Sequence, residues 1–497
     1  MRMQTLVLEQ RRLSPLLWVT LGICLLTSAE SGATTWHVTY DPAQPEDRVG
    51  AVAAQAASGD SILIDPGTYY EHIPLEGKSL TFIGLAGSES TILDGSRTLP
   101  DREGSILYTL TGASADLTVS GITFTNATGA VIPGSSGMVR GGAIMWWEPG
   151  VAYTSQLTVI DCAFLHNRTG VGEHFWALGG GAIYAGALGS LHVERSSFFE
   201  DYSFNEGGEI YTTASSVEIA ESEFRIGEGA YNRGACIYSE AGSLRIRQCT
   251  FESDAGDSPR NGIYNAYGDT EIVDCRFRDF GEPTATRIWL YCTCVGAPRQ
   301  DVLMSGNVFW NASGADSAAD PGVEFWLPAA AATLVGNTFV RCGVDIGSGV
   351  DGFPLTFENN IVARGQAIFQ IPTGGSCSCN DFFRTTVTFR YEGVVQENNT
   401  PDNPLFCDEA GGDFTLSEGS PCAPSGECGL IGVEPVACDL NVRACCLGQE
   451  CQMTTQEDCV ALGGRWLSDP PVASCAPDPC VTPLSVPSWG RVKSMFR

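Results

Sequence analysis

Residues 179–201 read GGGAIYAGALGSLHVERSSFFED, and three later stretches repeat them: GGEIYTTASSVEIAESEFRIG (207–227), GACIYSEAGSLRIRQCTFESD (234–254) and NGIYNAYGDTEIVDCRFRDF (261–280). Aligned on the isoleucine of G-x-I-Y, the anchors Ile183, Ile210, Ile237 and Ile263 lie 27, 27 and 26 residues apart. The closing phenylalanines Phe198, Phe224, Phe251 and Phe277 lie 26, 27 and 26 apart. Two independent anchors with one period mark stacked supersecondary units.

Each unit holds three short apolar pieces with period-2 alternation, separated by Gly, Ser, Asn and Asp, which reads as strand rather than helix. Three strands in a turn of about 26 residues predict an all-β fold, a right-handed parallel β-helix. Its coils stack at about 4.8 Å, with Ile on Ile and Phe on Phe in interior rows. A β-propeller blade needs four longer strands and about 40 residues.

Upstream, residues 1–33 have the layout of a secretory signal: Arg11 and Arg12, the apolar run Leu13 to Leu26, then the small residues Ser31 and Ala33. The run is too short for a transmembrane span, and none is expected later. A lipoprotein reading at Cys24 competes, but Ile23 is bulky for the position before it. Of 20 cysteines, 19 lie beyond this stretch, which fits an oxidising compartment and a secreted or cell-surface location. The net charge of −30 repels phosphate backbones, so nucleic acid is not an expected partner. Lysine occurs only at Lys78 and Lys493, leaving one lysine in the body of the chain as a candidate base.

The entry to the stack runs Gly59-Asp60-Ser61-Ile62-Leu63-Ile64-Asp65-Pro66-Gly67-Thr68-Tyr69-Tyr70-Glu71, with Lys78 to Gly84 and Thr91 to Gly95 behind it. This resembles the first coils of pectin-lyase-like β-helix proteins, pectin methylesterases among them, where a P-G-T-Y-x-E turn follows the first strand. The resemblance covers roughly residues 50 to 432. Ala51 to Ala57 reads as a short helix capping the open core. Further copies of the Phe anchor fall at Phe124, Phe164, Phe309 and Phe339, with Ile361 as a degenerate ninth. Irregular intervals between them place insertions, and hence candidate functional loops, between coils. G-G-A-I at Gly142 and Gly181, flanking Phe164-Leu165-His166-Asn167, resembles repeats of the polymorphic outer-membrane proteins, which are surface adhesins.

These signals divide the chain into a signal (1–33), an N-terminal cap and first coils (34–100), a β-helix (101–372), terminal coils with a cysteine-rich cap (373–440), a disulfide-rich module (441–480) and a basic aromatic tail (481–497). The coils are expected to close near residue 430. Cys445, Cys446, Cys451, Cys459, Cys475 and Cys480 crowd a segment too small for a core, so disulfides are expected there, their pairing open. Zinc is the rival reading, disfavoured by irregular spacing and no nearby His. The tail is either a candidate surface anchor or disordered. Cys162, Cys249 and Cys275 each precede a Phe anchor by two residues and share its inward face. Cys249 and Cys275 are equivalent in adjacent coils and are a candidate disulfide, with buried free thiols as the alternative. Cys292, Cys294, Cys377 and Cys379 are read as loop disulfides.

Alternation turns the tyrosines of G-x-I-Y outward if the isoleucines turn inward. Tyr184, Tyr211, Tyr238 and Tyr264 then form a stripe, preceded by Met145 and followed by Trp326, that is a candidate platform for sugar rings. Packing of these rings under loops is the competing reading. Glu209, Glu324 and Asp345 are placed beside the stripe, and the insertion after Phe164 adds His166, Glu173, His174 and Trp176. Glu173, His174 and Glu209 are the weak acid/base candidates.

Against catalysis, the elements that carry activity in the resembled enzymes are missing. There is no Q-D-T-L-Y or D-F-I-F-G, no N-T-D or G-H-G, and no W-I-D-H. Arg287-Ile288-Trp289 is the nearest to the R-I-K of polygalacturonases. The fold hosts many functions and cannot restore an activity by itself. The expectation is a secreted protein, without cofactor or metal, that binds polysaccharide or a cell-surface glycan along the parallel sheet. A polysaccharide lyase or hydrolase with an unrecognised site is the alternative, and a structural adhesin the third.

Overall fold

The computed structural model describes residues 32–466 except 98–103, 110–113, 132–138, 148–153, 170–178, 204–205, 227–233, 254–260, 279–285, 292–299, 312–320, 328, 349–353, 371–373, 425, 439–442, 449 and 455. Within them the chain is a right-handed parallel β-helix. Its three sheets are here called A (Thr35–Val38 to Val394–Glu397), B (Gly67–Tyr70 to Ile361–Ala363) and C (Ile73–Pro74 to Thr386–Phe389). Neighbouring strands come from successive coils and pair in parallel, so equivalent residues fall opposite one another.

That register builds the core. Ile183, Ile210, Ile237 and Ile263 form one inward row of sheet C. In sheet B, Phe124, Phe164, Phe198, Phe224, Phe251, Phe277, Phe309 and Phe339 are buried and stacked, with ring centroids 4.7–5.1 Å apart and planes within 12° of parallel. The ninth position is a correction: Val362, not Ile361, lies opposite Phe339, and Ile361 turns outward.

The corner from sheet A to sheet B is a tight bend repeated in the successive coils from Gly121 onward. Its first residue is left-handed, as at Asp161, Arg195, Glu221, Gln248 and Asp274, with φ of 47–55°. The next residue turns a short polar side chain under the backbone of the coil before. Cys275 N–H donates to Asn307 Oδ1, Asn307 to Asn337, Asn337 to Asn360, Asn360 to Asn380, and Asn380 to Asn399, all at 2.9–3.1 Å. Each amide thus satisfies a buried donor that the bend takes out of the ladder. Cys162, Ser196, Ser222, Cys249 and Cys275 occupy the earlier rungs.

The first end is closed by a helix, Arg48–Gln55, with Val49 and Ala53 buried against the main core. Glu71 of the P-G-T-Y-x-E turn caps it: Val49 and Gly50 N–H donate to its carboxylate at 2.7 and 3.1 Å. Lys78 closes the other terminus, donating to the carbonyls of Ala53 and Ala54. Both residues answer helix-end groups that have no partner inside the helix. Lys78 is therefore a structural residue far from the regular coils.

The C-terminal segment departs from expectation. The coils finish at Thr400, the last rung of an isolated bridge series. Residues 403–438 then fold back along the outer face of sheet B rather than across the end of the stack. There Phe406, Phe414, Leu416 and Ile431 pack on Val308, Trp310, Val340, Ile361 and Ala363. The disulfides Cys379–Cys428 and Cys407–Cys438 hold this flap, and Cys445–Cys459 holds the small module beyond it. Cys446 and Cys451 are also disulfide-bonded, and Cys475 and Cys480 lie outside the described residues, as do Cys292, Cys294, residues 1–31 and residues 467–497. Cys249 and Cys275 are free buried thiols, not a disulfide: as successive rungs they keep the stacking contact, with Cys249 N–H 3.5 Å from Cys275 Sγ. Cys377 is likewise a free buried thiol, because it faces the core while Cys379 faces the flap.

Candidate functional site

The outward column of sheet C is continuous in register. From the first end it reads Pro74, Tyr108, Met145, Tyr184, Tyr211, Tyr238, Tyr264, Trp289, Glu324, Asp345, Ile368 and Thr388. Aromatic positions thus run directly into two carboxylates. Trp326 does not follow Tyr264 in this column: it pairs with Tyr291 and Gly347, two positions further along the strand. The long insertion before it hides this offset in the sequence. Its side chain lies outside the described residues.

The four tyrosines are stacked on one another, with centroids 5.2, 4.9 and 4.8 Å apart and planes within 15° of parallel. Coil spacing imposes this, since a ring held perpendicular to the sheet meets the equivalent ring about 4.8 Å away. Their faces are therefore turned to each other along the solenoid axis. A ring-face platform for sugars is not what this column offers; it offers ring edges and hydroxyls.

Those edges are largely covered. Tyr184, Tyr238 and Tyr264 are buried, together with Tyr108 and Met145, and Tyr211 is half-buried. Arg140 lies over the Tyr184 ring and donates to its hydroxyl, while Tyr238 donates to Glu240 at 3.1 Å. Burial raises the pKa of Tyr184, Tyr211 and Tyr238, so all three remain hydroxyl donors. Tyr211 is the least covered of the four, with the carboxylates of Glu240 and Glu206 near it.

At the acidic end, Glu324 is half-buried and Asp345 accepts from Gln370 Nε2 at 3.1 Å. Burial raises the pKa of Asp345.

Glu209 is not beside the stripe. It is fully buried and lies against Asp201, which is 3 % exposed. Asp201 Oδ1 accepts from the backbone N–H and side-chain amide of Asn167 at 2.6 and 2.8 Å. Asp201 Oδ2 and both oxygens of Glu209 have no other side-chain hydrogen-bond partner among the described residues, so a proton shared between the two carboxyls satisfies two of these three oxygens. Burial, ahead of the mutual charge, pushes Glu209 well up, and burial pushes Asp201 up to about 7. The alignment held a signal for this pair: the position of Glu209 is Ala182, Cys236 and Gly262 in the neighbouring coils, all small and suited to a covered corner.

Glu173, His174 and Trp176 lie outside the described residues. His166 is exposed and sits 3.3 Å from Glu200. Of the acid/base candidates, only Glu209 lies among the described residues, and it is sealed away from solvent. Among the described residues no group of three or more His, Cys, Asp or Glu is placed to hold a metal ion, and no helix is long and apolar enough to cross a membrane. Compared with known proteins, the chain matches no family model and no curated relative.

Proposed function

We propose that this is a secreted, non-catalytic β-helix protein of the pectin-lyase-like type that binds a glycan or a surface partner along sheet C. The supporting observation is the unbroken outward column in which four stacked tyrosines lead through the Trp289 position to Glu324 and Asp345. Its straight repeat of about 4.8 Å suits an extended ligand lying along the axis. Recognition is by hydrogen bonds from sugar hydroxyls to the half-buried Tyr211 and the carboxylates of Glu324 and Asp345, since the ring faces are occupied and the other three tyrosines are buried. The disulfides of the flap and module fit export to an oxidising compartment.

The test is a glycan array on wild type and on a Glu324→Gln/Asp345→Asn double variant, with reducing-sugar and unsaturated-uronate assays on the same samples. Binding that falls at least tenfold in the variant, with no product released by either protein, is expected. Product formation by the wild type, or binding indifferent to both substitutions, removes the reading.

A further inference from the structure

The two ends of the solenoid are finished differently. Helix Arg48–Gln55 closes the first. At the other, Thr386–Phe389 is the last strand of sheet C and Val394–Glu397 the last of sheet A, and no further strand pairs with either among the described residues. Val387, Phe389 and Val394 pack on the main core yet are only half-buried, and Tyr391 and Val395 are 50 % and 58 % exposed. The two edges read TVTF and VVQE, without the Lys or Pro that blunts a strand edge against pairing. The flap that would be expected to cover them lies on sheet B instead.

We infer that this open end docks a second copy of the chain, tail to tail across a twofold axis. A peptide strand would extend one sheet and leave the apolar interior open. A second terminal coil matches both the edges and the interior in cross-section. Head-to-tail stacking is blocked because the first end carries its helix, so association closes as an isologous pair and does not run on as a filament. The terminal coil spans residues 381 to 400, of which the 17 from Arg384 on are exposed or half-buried. A stable interface uses roughly 20–30 a side. Carbonyls of Gly393 and Glu397 accept from Gly375 and Cys379 of the preceding strand. Alternation then turns the N–H groups of Val394 and Gln396 to the free edge, where the partner's strand pairs with them antiparallel.

Sedimentation of the purified full chain at tens of micromolar tests this. A dimer is expected, converted to monomer by Gln396→Pro, which removes an edge donor, and by Val395→Lys, which puts charge on the exposed site, with far-UV circular dichroism unchanged. Should either variant misfold, cross-linking decides: Val395→Cys is expected to link copy to copy under mild oxidant, whereas Leu85→Cys, 49 % exposed near the first end, is not. A monomeric wild type, or a dimer that survives both substitutions and gives no Val395→Cys link, overturns the proposal. So does a full chain that dimerises only after residues 467–497 are removed, since the end then belongs to the chain's own tail.

Discussion

Two columns of aromatic rings climb the same coils, one inside and one outside. The phenylalanines of sheet B stack at 4.7–5.1 Å and the tyrosines of sheet C at 4.8–5.2 Å, nearly the same geometry. Stacking distance is thus a property of the coil and says nothing about which side of the sheet a ring occupies. What differs is what else each ring touches. The inner column is chemically uniform over eight phenylalanines, while the outer one changes from apolar to aromatic to acidic along the axis. Uniformity belongs to the core, and variation to a surface that meets something other than itself.

The sharpest way to break the comparison is to delete an inner ring. Phe251 is fully buried, with Phe224 and Phe277 stacked at 4.8 and 4.7 Å. Phe251→Ala leaves a sealed cavity and is expected to cost about 3–5 kcal/mol by denaturant unfolding. A cost below about 1 kcal/mol would mean that the coils close over the gap and the column is not what holds them in register.

The second test places charge inside the stack. Asp201 and Glu209 have folded pKa values above their unfolded ones. Their stabilisation is complete below about pH 4, the unfolded carboxyl range, and is lost as pH rises through about 7 for Asp201. The two carboxyls face Asn167, Cys236 and, at longer range, Glu200. Through Asp201 alone, unfolding free energy is therefore expected to fall by roughly 3 kcal/mol between pH 4.5 and 8, at about 1.4 kcal/mol per pKa unit, and Glu209 adds in the same direction. Burial of Glu71, whose pKa is pushed up to about 7, adds in the same direction. Glu209→Gln should flatten the slope, and a variant with the wild-type pH profile would show that the pair carries none of it.

How far the sequence led follows the same division. The inner rows were legible because Ile and Phe recur at one spacing and nothing else fits an interior row. Where the anchor degenerates, legibility ends: Ile361 and Val362 are both apolar, and only the backbone register decides that Val362 lies inward. Outside, alternation correctly turned the tyrosines out, but it cannot show that coil spacing uses up their faces. It also counts Glu209 outward by parity, which fails because Glu209 precedes the strand Ile210–Thr212 and follows the bend at Gly207, φ 61°. The apolar residues of the flap mark a closing segment, but nothing in their sequence distinguishes the end of the stack from the outer face of sheet B. Trp310, Val340 and Ile361, turned outward there, choose the second.

A third, smaller effect belongs to the polar ladder between the aromatic columns. Asn337 Oδ1 accepts the backbone N–H and the side-chain amide of Asn307, and its own amide donates to Met304 O and Asn360 Oδ1. Asn337→Ala strips a buried N–H of its acceptor and is expected to cost about 1–3 kcal/mol. Hydrogen exchange at Asn307 N–H should then quicken, and unaltered protection there would dissociate the ladder from stability.

The smallest effect is expected where the two columns are most alike. Tyr211 has stacked neighbours at 5.2 and 4.9 Å, as Phe251 has at 4.8 and 4.7 Å, so Ala at either position removes two ring pairs of similar geometry. Tyr211, however, is half-buried, and solvent reaches the space its side chain would leave. The cavity contribution is then missing, and Tyr211→Ala should cost only about 1–2 kcal/mol, the worth of two aromatic pairs. Tyr211→Phe keeps both pairs and should change stability by less than about 0.5 kcal/mol. Since the hydroxyl is the part of the ring left for recognition, the same Phe variant should weaken binding of whichever glycan the array identifies. A Tyr211→Ala cost equal to that of Phe251→Ala would make the outer column a second core under its loops. Binding left intact in Tyr211→Phe would move recognition away from the tyrosines, towards Glu324 and Asp345.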